Sequence, residues 1–222
     1  NMPNFSANLT MMFNEVEFLA RFERASKAGF KAAEYMFPYE WPKEQLADAL
    51  EFHDLEQVLF NLPAGDWAAG ERGIACIPGR EGEFQDGVDS ALEYAAALRC
   101  PTINCLVGLT PEGNDLDQVR QTLVNNLQFA AAALEKAGIR FVIEMLNHNA
   151  VPGFHLVHTR EALRLLEGVK HPNLRLQYDV YHMQIMEGNL IDTLSTHMAR
   201  IGHIQIADNP GRHEPGTGEI NY

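Results

Sequence analysis

Residues 115–146 read DLDQVRQTLVNNLQFAAAALEKAGIRFVIEML. The first part is a long amphipathic pattern that predicts a helix over Asp115–Lys136, closed by Gly138. The second, Arg140–Leu146, is a short apolar run of strand character. Asp115 lies in an acidic first turn, where a carboxylate meets the positive end of the helix dipole. The same couple recurs on both sides of this stretch. Strands are expected at Phe5–Leu9, Ala32–Phe37, Leu55–Leu62, Thr102–Val107, Leu174–Val180 and Ile201–Ala207. Between them lie helical patterns over Glu15–Lys27, Lys43–Phe52, Glu81–Leu98, Thr159–Glu167 and Leu190–Arg200. Gly29 and Gly138 suit the positive-φ position just past a helix, and Thr159 suits an N-cap.

Strand followed by helix at a period of about 30 residues implies parallel strands joined by right-handed crossovers. No internal repeat, low-complexity segment or linker interrupts the pattern, so residues 1–222 read as one domain. Two architectures accommodate it, an open doubly wound sheet and a (β/α)8 TIM barrel. The open sheet usually carries a phosphate-binding fingerprint after its first strand, and TMMFNEVEF after Leu9 has none. A barrel needs roughly 250 residues. The seventh strand ends shortly before Tyr222, so an eighth βα unit is expected beyond the sequence given.

Composition narrows the function. Seventeen Lys and Arg against thirty Asp and Glu leave a net charge of −13, with 46% hydrophobic and 21% charged residues. That is globular usage, and its acidity argues against nucleic-acid or anionic-membrane partners. No apolar run reaches the length of a membrane span, and the start shows no signal-peptide pattern. Asn1 ahead of Met2 reads as an addition, and the sequon at Asn8-Leu9-Thr10 carries no meaning without secretion. Cys76, Cys100 and Cys105 are an odd set with no C-x-x-C spacing, which favours buried free thiols and a cytoplasmic setting.

In a barrel, function gathers at the carboxyl ends of the strands. Glu144 stands among Val142, Ile143, Met145 and Leu146, where a carboxylate needs a cation or hydrogen bonds. Asp179 ends the next strand on the same face as Gln177; taken alone, it reads first as the cap of the following helix. His182 follows within reach of the same site. Gln205 shares a face with His203 and Ala207, and a buried amide there must satisfy its hydrogen bonds or bind something. Together Glu144, Asp179 and Gln205 form an oxygen-rich set suited to Mg²⁺ or Mn²⁺. His148, His155 and His158 lack the spacing of a zinc site. The long loop from Asn61 to Glu81 carries Arg72, placed either to meet a carboxylate or to pack on the surface. Gly216-Thr217-Gly218 reads as a turn before a phosphate site, and Arg212 is placed to pair with an anion.

The stretches FSANLTMMF, MFPY, FNLPAGDWAAGERGIACIPGRE, VIEMLNH, PGFHL, LQYDVYHMQIMEGNL and GHIQIADNPGRHEPGTGEINY resemble the hydroxypyruvate isomerase family, within the xylose-isomerase-like barrels. The resemblance implies a (β/α)8 barrel that interconverts hydroxypyruvate and tartronate semialdehyde through an enediolate. It implies a divalent metal, Mg²⁺ or Mn²⁺, held by Glu144, Asp179, Gln205 and a second Glu expected on strand eight. Glu144 also takes a catalytic proton-transfer role, and His182 and Arg212 contact the substrate, a small hydroxy or oxo acid. The alternatives are a 2-oxo-tetronate isomerase, a ketose 3-epimerase (which generally has His where Gln205 stands), and a non-catalytic sugar-acid-binding barrel. An apurinic endonuclease, which shares the barrel, would need His-rich zinc ligation and a basic face. A homo-oligomer is compatible with the resemblance.

Overall fold

The computed structural model describes residues 3–222, so Asn1 and Met2 lie outside the described residues. Seven strands alternate with helices: β1 Ala7–Asn8, α1 Ala20–Lys27, β2 Ala32–Glu34, α2 Lys43–Phe52, β3 Glu56–Asn61, α3 Glu81–Leu98 and β4 Thr102–Cys105. Then follow α4 Leu116–Lys136, β5 Arg140–Glu144, α5 Thr159–Val169, β6 Leu174–Asp179, α6 Val180–Met186, α7 Leu190–His197 and β7 Ile201–Gln205. Every neighbouring pair is parallel, and the strand order is sequential from β1 to β7. A doubly wound sheet reverses its order partway; this one does not. The sheet is also curled. Strands β2 and β7 stand five places apart, about 24 Å across a flat sheet at ~4.8 Å per strand. Yet His203 Nε2 and Gln205 Nε2 on β7 reach Glu34 on β2 at 2.8 and 2.6 Å. This is the wall of a TIM-type barrel.

Local chemistry sets the elements. Asp115 caps α4 by accepting the Asp117 N–H at 3.0 Å, and Val119, Leu123, Leu127, Ala130 and Leu134 bury one face of that helix. Gly138 ends it at φ 72°, and Gly29 follows α1 at φ 94°. Outward strand residues such as Ile103, Phe141, Ile143 and Leu176 join these helix faces in one apolar layer. Inside the barrel the alternate residues Glu144, Gln177, Asp179, His203 and Gln205 are polar, and β5, β6 and β7 bring them into register. No described helix is long and apolar enough to cross a membrane.

Two local expectations are corrected, and one gains its range. Helix α1 begins at Ala20 rather than Glu15, because Phe13 at φ 62° turns the chain and Phe18 packs on Trp41 and Tyr35. Thr159 is the first helical residue of α5 rather than its cap. Its N–H is taken by Glu187 Oε1 at 2.7 Å, and its hydroxyl faces Met183 Sδ. The short helix α6, for which the sequence offers a cap at Asp179 but no range, starts directly at the end of β6, where Asp179 caps it.

Candidate active site

Glu144 and Asp179 are the last residues of β5 and β6, so both carboxylates emerge at the carboxyl end of the barrel. Both are buried. Asn104 on β4 donates through Nδ2 to Glu144 Oε2 at 3.1 Å. Asp179 divides its two oxygens between a helix cap and an ion pair. Its Oδ1 accepts the Tyr181 N–H at 2.9 Å and caps α6, while Oδ2 faces the site and takes Arg212 Nη2 at 3.3 Å. Burial, reinforced by the Asp179 charge, pushes the Glu144 carboxyl well above the ordinary range. Burial pushes Asp179 upward as well, against the pull of Arg212.

His182 lies one turn into α6, with its Nε2 3.6 Å from Asp179 Oδ2. One ligand atom each from Glu144, Asp179 and His182 falls within 4.8 Å of the others; among the described residues no other His, Cys, Asp and Glu group does so. Both ring nitrogens of His182 are engaged. Its Nδ1 accepts the backbone N–H of Asn147 at 3.1 Å. Burial first, and Arg212 second, push its pKa down to about 3, so the ring is neutral. Its Nε2 lies between Arg212 Nη2 at 3.3 Å, a nitrogen that can only donate, and Asp179 Oδ2.

Gln205, the last residue of β7, is the third oxygen of the set. Its Nε2 donates to Glu34 Oε1, so its carbonyl oxygen points the other way, where Gln177 Nε2 meets it at 2.9 Å. Glu34 is buried on β2 and also receives Ser6 Oγ, Asn8 Nδ2 and His203 Nε2 at 2.9, 3.2 and 2.8 Å. Burial would raise its pKa, but the His203, Gln205 and Ser6 bonds together hold it below the usual carboxylate value. The sequence reading passed over Glu34. Its signal was of the same kind as that of Glu144, a lone carboxylate inside a strand-like run, here AAEYM. Asn104 was hidden in the same way, and Gln177 was noted only as sharing a face with Asp179.

Glu34, Glu144, Gln177, His182 and Gln205 line a cavity of about 250 Å³ that also touches Asn61, Trp67, Arg72, Leu106, Val151 and Arg212. The rival histidines do not assemble. His155 bonds Thr110, His158 lies near Glu187, and His148 is exposed. The turn at 216–218 is also a turn here. With Asn209 and Ile220, Gly216 surrounds the buried Asp208 carboxylate with backbone N–H donors. This wrap sets Arg212 at φ 59° with its guanidinium against Asp179. Cys76, Cys100 and Cys105 are free and buried.

The residues present fit a hard cation. Two buried carboxylates converge, Arg212 is paired with Asp179, and two like charges so placed repel unless more positive charge arrives. The buried Gln177 Oε1, in the same cavity, has no hydrogen-bond partner among the described residues. Carboxylate and amide oxygens are the ligands that such an ion prefers.

A parallel barrel with this carboxylate and amide cluster at its strand ends has known counterparts. The chain belongs to the xylose isomerase-like TIM barrel family, whose model matches residues 22–222. It is 58% identical over 221 residues to the hydroxypyruvate isomerase of Escherichia coli K12, covering 100% of this chain and 86% of that one. It is 45% identical over 221 residues to the 2-oxo-tetronate isomerase of Pectobacterium atrosepticum, covering 100% of this chain and 84% of that one. Within the family the chain is thus an enzyme of the isomerase class. Among solved structures, the AP endonuclease, family 2, of Brucella melitensis superposes with a TM-score of 0.97 at 48% identity, covering 100% of this chain and 85% of that one.

Proposed function

We propose that the chain interconverts hydroxypyruvate and tartronate semialdehyde by proton transfer between adjacent carbons. The observation that carries this reading is the buried Glu144–Asp179 pair at the strand ends, beside a cavity of about 250 Å³ that Glu144 lines. The 58% identity to the Escherichia coli enzyme supports the choice of substrate. A Mg²⁺ or Mn²⁺ ion held by Glu144, Asp179 and Gln205 would polarise the substrate's carbonyl and stabilise enediolate charge. Glu144 takes the proton from the CH₂OH carbon of hydroxypyruvate, leaving an enediolate across that carbon and its neighbour. Return of a proton to the former carbonyl carbon gives the aldehyde, and a second carboxylate would serve that face. The imidazole of His182 and the guanidinium of Arg212 orient the substrate's oxygens. Walls such as Leu106 and Val151 keep bulk water from the enediolate.

The 45% identity to a 2-oxo-tetronate isomerase favours the four-carbon acid as the second reading, with the same proton transfer. The nucleolytic title of the Brucella neighbour is not carried over, because a net charge of −13 opposes a phosphate backbone. A cytoplasmic setting accords with three unpaired thiols. Proton-exchange NMR in D₂O tests the assignment, with Mg²⁺ or chelator and with both acids offered in parallel. We expect metal-dependent deuterium incorporation and a higher kcat/KM for hydroxypyruvate. Preference for the four-carbon acid would move the substrate and keep the chemistry, while turnover of neither would defeat the reading.

A further inference from the structure

The mechanism above leaves the substrate's carboxylate without a partner. Of the two arginines that line the cavity, Arg212 is committed to Asp179 and lies over Tyr181. The other, Arg72, lies on the loop between β3 and α3. It has no carboxylate within ion-pair distance among the described residues. Its neighbour Glu71 cannot serve, because that carboxylate is held by Arg80 and by the Asp66 N–H.

Arg72 is nevertheless fixed. Its Nη1 donates to the carbonyls of Trp67 and Glu71 at 3.2 and 2.7 Å. Its guanidinium lies 3.9 Å from the centre of the Trp67 ring, which meets Phe37 edge-on at 5.1 Å. The loop beneath is locked. Gly73 N–H donates to Ala64 O at 2.9 Å, and a side chain at Gly73, where φ is 109°, would fall on the Leu106 carbonyl. Cys76 N–H bonds Val107 O, and Asn126 Nδ2 bonds Ala75 O, both at 2.9 Å. One edge of the guanidinium is therefore occupied and one face is covered. Nε and Nη2 make no hydrogen bond among the described residues, and the side chain borders the cavity whose floor holds Glu144. A pre-oriented, unpaired guanidinium edge is shaped to take a carboxylate through two parallel N–H bonds.

We infer that Arg72, held over the Trp67 ring, is the specificity-determining residue that binds the carboxylate of a small 2-oxo acid in this cavity. The assignment rests on the isomerase reading given above. It makes Arg72 the group that separates acids from uncharged ketoses of the same length.

The test compares Arg72→Met and Arg72→Lys with the unaltered full-length protein in Mg²⁺. Hydroxypyruvate turnover is one arm. Direct binding of pyruvate and of the uncharged hydroxyacetone, followed calorimetrically, is the other. Arg72→Met should raise KM for hydroxypyruvate by about tenfold to a hundredfold with kcat changed far less, and should weaken pyruvate by a similar factor. Hydroxyacetone binding should not change, and Arg72→Lys should recover part of the loss. An unchanged KM and pyruvate affinity in Arg72→Met would overturn the assignment, as would an equal loss for pyruvate and hydroxyacetone. Absence of hydroxypyruvate turnover in the unaltered protein would defeat the isomerase reading alone, and the pyruvate arm would still decide the carboxylate site.

Discussion

Replacing Glu144 by Gln should stabilise the metal-free protein while disabling it. In the unfolded chain Glu144 ionises as an ordinary hydrated carboxylate. In the fold, burial and the Asp179 charge push it up to about 8. At pH 7 the metal-free fold must therefore hold a proton that the unfolded chain releases, or bear a repelled charge. A tenfold bias is worth about 1.4 kcal/mol, so this burden is on the order of 3 kcal/mol. Gln has the same shape, carries no charge and can still accept from Asn104 Nδ2, as the protonated acid does. The gain is on the order of 3 kcal/mol, or roughly 6–12 °C in Tm for a chain of this size. Calorimetry in chelator at pH 7 measures it. A folded pKa above the unfolded one means that stability falls as pH rises through the interval between them, so the gain should shrink to a few tenths of a kcal/mol near pH 4.5. Turnover should fall about 10²–10⁴-fold. A variant no more stable than the parent at pH 7, or a gain that persists unchanged at pH 4.5, would refute the reasoning.

His182 carries the opposite sign: a neutral buried ring with its pKa pushed down to about 3 loses stability as pH falls from about 6.5, where the unfolded chain takes up the proton first. Urea titrations in chelator between pH 6.5 and 4 should therefore show a steeper acid loss for the parent than for His182→Asn. Gly73→Ala forces a side chain onto the Leu106 carbonyl at a φ that side chains resist, and should cost about 2–4 kcal/mol or shift the loop. Either way, KM for the acid substrate should rise because Arg72 moves. Leu134→Ala removes a fully buried side chain from α4 and should lower urea stability by about 2–5 kcal/mol, with kcat unchanged.

The barrel was readable because each βα unit announces itself locally. RFVIEML and LRLQYD carry strand patterns, and Asp115 and Gly138 mark the ends of the helix ahead of β5. The carboxylates at 144 and 179 were readable for a related reason: a charge inside an apolar run needs an explanation. The contact between Gln205 and Glu34 was not readable, since it joins strands distant in sequence. The caps show another limit. Asp179 and Thr159 both look like caps, and only the surrounding packing decides that the first is one while the second is drawn instead to Glu187. Arg72 was visible as a residue, but its unpaired edge depends on Glu71 being taken by Arg80, a contact that no spacing reveals.

The link between Glu34 and Gln205 spans 171 residues of sequence. During synthesis at about 5–20 residues per second, Glu34 must wait roughly ten to thirty seconds for that partner to leave the ribosome. Throughout that interval an inward-facing acid near the start of the chain lacks the amide that will orient against it, and no partly made chain can present the assembled cavity. Binding competence thus arrives only when the far strand docks, which makes capture of a small acid a report on completed folding rather than on any local element.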